Sequence, residues 1–307
     1  MNPALTTEIH GVYCAAATPV TETGAVDHTV FAAHCKALLA EGCHGIAMLG
    51  TTGEANSLGL AERQEMLERV IEAGIEPSRL LPGTSQTNVA DTLALTRHAV
   101  QAGVKGVVLL PPFYYKGVSD DGLFSYFSEV IERVDRPGLQ LYLYHFPAVS
   151  QVPLSVALVE RLLKRYPGIV AGIKDSSGDW NSMKAYIDNF AASGFDVFPG
   201  TETHLLNALR AGGAGCISAT ANVNPAQISG VARDWRKPEV EAANDNMVAI
   251  RAAFQRYPLL PAMKKAIAAG LGDPSWAVLR PPLVALDDAS YEKLAAELAG
   301  LGFRFGR

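Results

Sequence analysis

Short apolar runs alternate with longer amphipathic segments along most of the chain. The runs have the length and the composition of buried strands, and we predict eight of them: 12–18, 45–50, 79–83, 106–111, 139–145, 169–174, 195–200 and 214–219. The segments between them repeat their apolar positions with helical spacing, and many end at a glycine where a helix C-cap is expected. This alternation predicts βα units around a parallel sheet.

Eight strands and eight helices within roughly 220 residues favour a (β/α)8 TIM barrel over an open, doubly wound α/β sheet. No G-x-G-x-x-G motif opens the first βα turn, as a dinucleotide-binding sheet would require. The strand pattern ends after residue 224, and four later segments have helical periodicity: 225–235, 238–256, 261–270 and 288–299. We therefore expect a barrel over residues 1–224 and a C-terminal helical appendage over residues 225–307, packed as one unit.

The composition is typical of a soluble globular protein, with 49% hydrophobic and 19% charged residues among 307. The first ten residues, MNPALTTEIH, have neither the basic nor the apolar region of a secretion signal, so we expect a cytoplasmic protein with no membrane partner. The net charge of −5 and the scattered basic residues argue against nucleic acid as a partner. The cysteines lack C-x-x-C spacing and are interpreted as reduced core thiols: Cys14, Cys35, Cys43 and Cys216.

The active site of a barrel forms at the carboxyl ends of its strands, so the residues that follow each run are the candidates for chemistry. Six of these ends are informative: GTTGE (50–54), PPFYY (111–115), YHFP (144–147), KDSSGD (174–179), PGTET (199–203) and ISATAN (217–222). They contain hydroxyls, small residues, tyrosines and one lysine. A phosphate or metal site would need a different set of side chains.

A metal site is an alternative, because aldol cleavage can use either a divalent ion or a lysine imine. The seven histidines form no H-x-H or H-E-x-x-H pattern. Only His145 and His204 fall near strand ends, and we interpret both as hydrogen-bonded packing residues. We therefore expect neither a catalytic metal nor another cofactor.

Lys174 is unusual among the ten lysines because it ends an apolar strand, in GIVAGIKDSSGDW. An apolar barrel interior disfavours the ammonium form, so more free amine is available to attack a ketone and form a Schiff base. The alternative is a structural lysine that is paired with a carboxylate such as Asp175.

Tyr144 ends the strand before that of Lys174, so its phenol can face the amine. A tyrosine hydroxyl linked to a second hydroxyl, such as that of Thr51, can move the protons that imine formation and aldol cleavage require. The alternative is a buried phenol that merely finds a hydrogen-bond partner. In the GTTGE segment, Gly50 lets the backbone approach a ligand and the exposed N–H groups could bind a carboxylate, although an ordinary polar turn explains this segment equally well.

Taken together, GTTGE, PPFYY, YHFP, GIKDSSGD and ISATAN resemble the N-acetylneuraminate lyase and dihydrodipicolinate synthase superfamily of pyruvate-dependent class I aldolases. The resemblance extends from ATPV near residue 17 to RPPLVALDD at 280–288. It implies that Lys174 forms a Schiff base with pyruvate or another 2-keto acid. It also implies that Tyr144 is the acid/base, that Thr51 passes protons to it, and that Tyr114 completes this relay from a neighbouring subunit.

The resemblance also implies a substrate-binding set and an oligomeric state. Thr52 and its backbone would hold the carboxylate of the keto acid, and Ile217 would line the pyruvate pocket. The remainder of the substrate would meet four residues: Ser176, Gly200, Glu202 and Ser218. Members of the superfamily are usually homotetramers built from paired dimers, and we expect the same here.

Departures from the subfamily patterns narrow the reaction. Dihydrodipicolinate synthases carry an arginine five residues after the catalytic tyrosine, where this chain has Val149. Losing that charge-assisted contact would cost on the order of 1.5 to 3 kcal/mol. Sialic acid lyases carry an Asp-Glu pair after the glycine of strand seven, but Gly200 is followed here by Thr201 and Glu202. In addition, His145 replaces their usual asparagine.

The closing RPPLVALDD and the missing arginine are more similar to 2-keto-3-deoxygluconate aldolases. The hypothesis is therefore retro-aldol cleavage of a 2-keto-3-deoxy sugar acid to pyruvate and an aldehyde. Three related activities stay open: a 4-hydroxy-tetrahydrodipicolinate synthase, an N-acetylneuraminate lyase, and a keto-deoxy acid dehydratase that uses the same imine. A hypothesis of another class is a non-catalytic sensor that retains the pyruvate pocket.

Overall fold

A computed structural model describes residues 9–305 of the chain. Within that range seven parallel strands are regular: β1 (Gly11–Cys14), β2 (Gly45–Ile46), β3 (Gly106–Leu109), β4 (Gln140–His145), β5 (Val170–Asp175), β6 (Asp196–Pro199) and β7 (Gly215–Ser218). Nearly every strand residue is buried. Burial on both faces is what a parallel sheet with helices outside and packed side chains inside requires.

The strands close into a barrel. Regular pairing gives two sheets, with the strand orders β2-β1-β7 and β3-β4-β5-β6. Residues 80–83 join β2 to β3 through isolated bridges at Leu80 and Gly83. On the other side, Ala214 N donates to Val197 O at 3.0 Å and so joins β6 to the residue that precedes β7. The fold is a (β/α)8 barrel, as the sequence predicts.

The third predicted strand differs from the expectation, because residues 79–83 form bridges rather than a regular strand. Pro82 has no N–H to donate, so a continuous ladder cannot run through it. Its carbonyl still accepts from Val108 N at 2.9 Å. A Cβ on Gly83 would overlap the Leu49 carbonyl oxygen, so only glycine permits this approach of the two backbones.

The described residues contain twelve α-helices: α1 (His28–Ala40), α2 (Leu60–Glu72), α3 (Val89–Gln101), α4 (Asp120–Val134), α5 (Pro147–Ser150), α6 (Val156–Arg165), α7 (Trp180–Phe190), α8 (Leu205–Ala211), α9 (Pro225–Asp234), α10 (Val240–Gln255), α11 (Leu259–Leu271) and α12 (Asp288–Gly300). The side chains of Asp27, Asn88 and Ser119 each accept a backbone N–H at a helix start. Gly212 and Gly272 end α8 and α11 in the left-handed conformation.

The four predicted C-terminal helices are present as α9 to α12. Buried residues of α9 and the first half of α10 belong to the same hydrophobic cluster as the barrel, including Ile228 and Met247. A second cluster joins α10, α11 and α12 to Ala17 and Ala219, which lie beyond the ends of β1 and β7. The last helices therefore pack over the carboxyl end of the barrel. The division at residue 224 stays a prediction.

Other expectations concern the thiols and the chain start. All four cysteines are buried, and the described residues contain no disulfide between them, which confirms the interpretation as core thiols. Within residues 9–305, no helix combines the length and apolar character needed to cross a membrane. Most of MNPALTTEIH, on which the expectation about a secretion signal rests, lies outside the described residues.

Candidate active site

Strands β4 and β5 bring Tyr144 and Lys174 together. The two residues are direct partners in the parallel pairing of these strands. The Lys174 Nζ atom lies 4.3 Å from the centre of the Tyr144 ring. Both residues are buried, because Lys174 is 6% exposed and Tyr144 is 5% exposed. The adjacency that the strand order predicts is therefore confirmed.

Asp175 does not pair with Lys174. Successive side chains of a strand point to opposite faces, so Asp175 is directed away from the barrel interior. Its carboxylate accepts from Ser177 N at 2.7 Å and from Ser182 Oγ at 2.8 Å, at the start of α7. Within residues 9–305, no carboxylate lies within ion-pair distance of Lys174 Nζ. The salt-bridged alternative for Lys174 is therefore wrong.

Lys174 and Tyr144 open onto a cavity of about 670 Å³ at the carboxyl ends of the strands. Its volume is in the range of ordinary small-molecule sites. The wall includes several of the predicted site residues: Thr51, Thr52, Ser176, Gly200 and Ile217. Gly50 lines a smaller cavity of about 40 Å³, which also contains Thr51, Tyr144 and Lys174. Eight of the eleven predicted residues therefore converge on one place.

The GTTGE segment follows β2 and is shaped by a buried charge pair. Glu54 has φ +55° and is 4% exposed. Its carboxylate binds Lys264 Nζ at 2.7 Å and the backbone N of Arg280 at 3.0 Å. Burial lowers the pKa of Lys264, and the Glu54 carboxylate opposes this shift. The turn that carries Thr51 and Thr52 is thereby anchored to the C-terminal part of the chain. Among the described residues, Thr51 and Tyr144 form no hydrogen bond with each other.

Ser176 and Gly200 lie next to each other where β5 and β6 end. Gly200 N donates to Asp175 O at 2.6 Å, and Ser176 N donates to His145 O at 2.8 Å. A Cβ on Gly200 would overlap the Ser176 hydroxyl. The absence of a side chain at Gly200 therefore provides the space that the Ser176 side chain occupies in the cavity wall.

Three predicted site residues are placed elsewhere. Glu202 is 1% exposed and accepts hydrogen bonds from Ser218 Oγ and Thr220 Oγ1, so its carboxylate is satisfied below the cavity wall. Ser218 is fully buried in the same network. Tyr114 is 74% exposed in the loop after β3 and packs edge-to-face on Tyr115. Within this single chain, Tyr114 does not join the cavity.

Sequence patterns did not single out the part of the wall that α10 and α11 supply. Arg251, Gln255, Leu260 and Met263 all line the large cavity. These residues occur in ordinary amphipathic helices, where nothing in the periodicity distinguishes a cavity-lining position from a packed one. Lys264 was missed for the same reason, since a lysine in a helix normally indicates a solvated face.

The two histidines near strand ends have packing roles, as interpreted. Leu154 N donates to His145 Nδ1 at 3.0 Å, and Tyr186 packs edge-to-face on the imidazole. Burial lowers the pKa of His145, opposed by the charge of Asp175. His204 stacks on Trp180. Among residues 9–305, no three His, Cys, Asp or Glu side chains cluster in a way that could hold a metal ion.

Comparison with known proteins identifies the family. The model of the dihydrodipicolinate synthetase family matches residues 8–300. The chain belongs to this family. It is therefore an enzyme, a pyruvate-dependent lyase of the class I aldolase type, and the resemblance based on the strand-end motifs is confirmed.

The curated relatives of the enzyme include both an aldolase and synthases. The putative 2-dehydro-3-deoxy-D-gluconate aldolase YagE of Escherichia coli K12 is 32% identical over 297 residues, which cover 95% of this chain and 96% of the relative. A 4-hydroxy-tetrahydrodipicolinate synthase of Methanosarcina mazei is 32% identical over 296 residues, with 95% and 98% covered. Names alone therefore do not separate an aldolase from a synthase.

Solved structures agree with the fold. Dihydrodipicolinate synthase from Agrobacterium tumefaciens superimposes with a TM-score of 0.89 at 33% identity, covering 95% of this chain and 99% of that one. The structure of YagE from Escherichia coli in complex with pyruvate has a TM-score of 0.89 at 30% identity, covering 97% and 100%.

Proposed function

We propose that this enzyme cleaves a 2-keto-3-deoxy sugar acid to pyruvate and an aldehyde through a Schiff base on Lys174. The observation that carries the proposal is a buried lysine without a carboxylate partner among residues 9–305, beside Tyr144, at the wall of a cavity of substrate size. No carboxylate of the described residues holds the Lys174 amine, so Nζ can attack the ketone of a bound keto acid.

The reaction follows from the chemistry of the imine. Nζ of Lys174 attacks the C2 carbonyl carbon, and water leaves as the protonated imine forms. A base then removes the proton of the C4 hydroxyl, the C3–C4 bond breaks, and its electron pair moves into the imine to form an enamine. The aldehyde departs, the enamine gains a proton at C3, and water hydrolyses the new imine to release pyruvate.

Tyr144 is the group we assign to these proton transfers, because its ring lies against the amine. Thr51 lines the same cavity and is proposed to pass protons to Tyr144. Tyr114 would complete the relay from a neighbouring copy in a homotetramer. Thr52, with the backbone from Gly50, would hold the carboxylate of the keto acid.

The preference for a sugar acid is supported by the wall of the cavity. Ser176, Ser177 and Thr201 line it, and serine and threonine hydroxyls can exchange hydrogen bonds with a hydroxylated chain. Val149, where dihydrodipicolinate synthases carry an arginine, is 55% exposed in α5. The relative YagE, whose name is putative 2-dehydro-3-deoxy-D-gluconate aldolase, supports the same substrate class.

The proposal is tested by reducing the enzyme with borohydride in the presence of pyruvate and mapping the modified peptide. Reduction converts the imine into a stable secondary amine, so we expect the added mass on Lys174 alone. Lys174→Met should lose both the label and turnover. Lys184→Met is a matched control, because Lys184 is an exposed lysine of α7 that pairs with Asp188, and it should be labelled like the parent. Labelling of any other lysine contradicts the assignment.

The type of cleavage is decided by the product. A six-carbon 2-keto-3-deoxy sugar acid should yield pyruvate and an aldehyde. The two products together contain as many carbon atoms as the substrate. A dehydratase would release a single keto acid that retains all the carbon atoms, and a non-catalytic sensor would bind pyruvate without any product. Mass spectrometry of the product mixture distinguishes the three results.

A further inference from the structure

The segment between α11 and α12 runs along the large cavity and exposes an apolar stretch. Five successive residues, 281–285, are exposed and carry the sequence PPLVA. Pro282 and Leu283 line the cavity, and Val284 is 77% exposed. An exposed apolar run of this length is unusual in a globular protein and indicates a function. Residues 281–285 are called the strap below.

Arg280 fixes the first end of the strap. Its guanidinium donates to the carbonyl oxygens of Gly24 and Ser57, both at 2.7 Å, and both of its Nη atoms bind the carboxylate of Glu62. Its backbone N donates to the Glu54 carboxylate at 3.0 Å. A bidentate pair of an arginine and a carboxylate has a defined geometry as well as strength. The strap therefore begins at a point that is tied to the loops after β1 and β2.

The second end is also fixed, but the strap itself is not. Leu286 is 8% exposed and belongs to the hydrophobic cluster of α10 to α12. Between the two ends, Leu283 N donates to Arg280 O at 3.0 Å, and no other hydrogen bond involves the strap among residues 9–305. Exposed side chains and few backbone hydrogen bonds are typical of segments with low local stability, from which the moving parts of enzymes are drawn.

The cavity beside the strap is larger than the proposed substrate requires. A volume of about 670 Å³ holds a drug-sized ligand, and a six-carbon keto acid is smaller. The space that remains admits water. Movement of Pro282 and Leu283 toward Lys174 would fill this space and bury apolar side chains that are now exposed. Removal of water strengthens electrostatic interactions in a site and protects a reactive intermediate such as an enamine.

We infer that the strap closes over the cavity when a keto acid is joined to Lys174, and that Arg280 is the positioning residue that fixes its first end. A ligand closes a segment only through contacts that differ between the open and closed states. Pro282 and Leu283 supply these contacts to the part of the substrate beyond the keto group. This inference rests on the proposed function, because it takes the substrate to be held on Lys174 as an imine.

Hydrogen–deuterium exchange measures the closure. The probe is 2-oxohexanoate, a six-carbon keto acid without the C4 hydroxyl that cleavage requires. Its C2 forms the imine with Nζ of Lys174 and water leaves, and borohydride then adds hydride to C2 and fixes the chain. The N–H groups of residues 284–286 should exchange rapidly in the free enzyme and about tenfold or more slowly in the adduct, because closure buries them. The exposed turn at 135–138, before β4 at the amino end of the barrel, should exchange equally in both.

Two leucines of similar exposure separate closure from a general loss of stability. Leu283 is 38% exposed in the strap, and Leu271 is 41% exposed at the end of α11. In Leu283→Ser the protection of residues 284–286 should be lost, and KM for the 2-keto-3-deoxy sugar acid should rise roughly tenfold. Leu271→Ser should behave like the parent in both measurements. Arg280→Met frees the first end of the strap and should also lose the protection, while Lys174 is still labelled.

Three results overturn the inference. The first is equal exchange of residues 284–286 in the free enzyme and in the adduct, and the second is protection that persists in Leu283→Ser. The third is slow exchange of these residues in the free enzyme, because another surface, such as a second copy of the chain, then covers the strap. If 2-oxohexanoate and borohydride do not label Lys174, the proposed function fails as well. Labelling of Lys174 with unchanged exchange contradicts the closure alone, so the two failures are distinguishable.

Discussion

At the scale of single residues, the position of Lys174 in its strand determines its chemistry. The alternation of side chains sends Lys174 into the barrel and Asp175 toward α7, where Ser177 and Ser182 satisfy its carboxylate. A shift of one residue along β5 would exchange the two side chains. The amine is therefore left beside a phenol rather than beside an anion, which favours its role as a nucleophile.

Tyr144→Phe tests the phenol at this scale. The ring and its packing on Phe146 are preserved, but the group that moves protons is lost. We expect turnover to fall by about 10²-fold or more, the usual contribution of a general acid/base, while borohydride still labels Lys174 with pyruvate. Steady-state rates and labelling of the same preparation provide the measurement. Turnover equal to that of the parent would remove Tyr144 from the mechanism.

At the scale of elements, the turn after β2 is held by a buried ion pair with α11. Lys264 is fully buried and binds both Glu54 and the carbonyl of Thr18. The backbone N of Arg280 binds the second oxygen of Glu54. Three segments that are remote in sequence are thus fixed to the turn that carries Thr51 and Thr52.

Glu54→Gln should destabilise the enzyme by roughly 3–5 kcal/mol, because it leaves the buried Lys264 ammonium without its counter-charge. The double variant with Lys264→Met should regain most of this loss, since no unpaired charge remains. Urea unfolding provides the measurement. Lys265→Met is the control, because Lys265 pairs with the exposed Asp288, and its effect should be about 0.5 kcal/mol or less. A similar effect of Glu54→Gln and Lys265→Met would contradict the prediction.

At the scale of the whole molecule, the exposure of Tyr114 bears on assembly. Tyr114 and Tyr115 are 74% and 67% exposed, which is unusual for large aromatic side chains. Lys116 Nζ donates to Ser150 O at 2.8 Å and ties their loop to α5. We propose that a second copy of the chain covers this loop and that Tyr114 then contributes to the partner's cavity.

Mixing two inactive variants tests that arrangement. Lys174→Met lacks the nucleophile, and Tyr114→Phe lacks the phenol that we expect a neighbour to supply. If the phenol acts between subunits, mixed assemblies contain some sites with both groups, and activity should recover to about a quarter of the parent value after dissociation and random reassociation of a two-fold pair. If mixing yields no more than the sum of the separate activities, Tyr114 does not act across an interface.

Much of the architecture could be predicted from local patterns. Strand and helix periodicity indicated the barrel and the four later helices, because burial on one face repeats with the period of the element. The exception at 79–83 depends on Pro82, whose missing N–H breaks the ladder although the apolar run persists. The order of adjacent strands was sufficient to predict that Lys174 lies beside Tyr144.

Other features depend on contacts between distant parts of the chain. The sequence analysis predicts that Glu202 contacts the substrate, but Ser218 and Thr220 donate hydrogen bonds to its carboxylate below the cavity wall. No sequence pattern indicated that Arg251 and Lys264 are buried, because an arginine or lysine in an amphipathic helix normally lies on the solvated face. Which of them is buried depends on what packs against the helix.

The sequence by itself determined the barrel, the strand-end positions of Lys174 and Tyr144, and the family, because these depend on periodicity and on motifs of adjacent residues. Only the tertiary structure decided which charges are paired. Ion pairing depends on distance and burial, and residues such as Glu54 and Lys264 are brought together by folding alone.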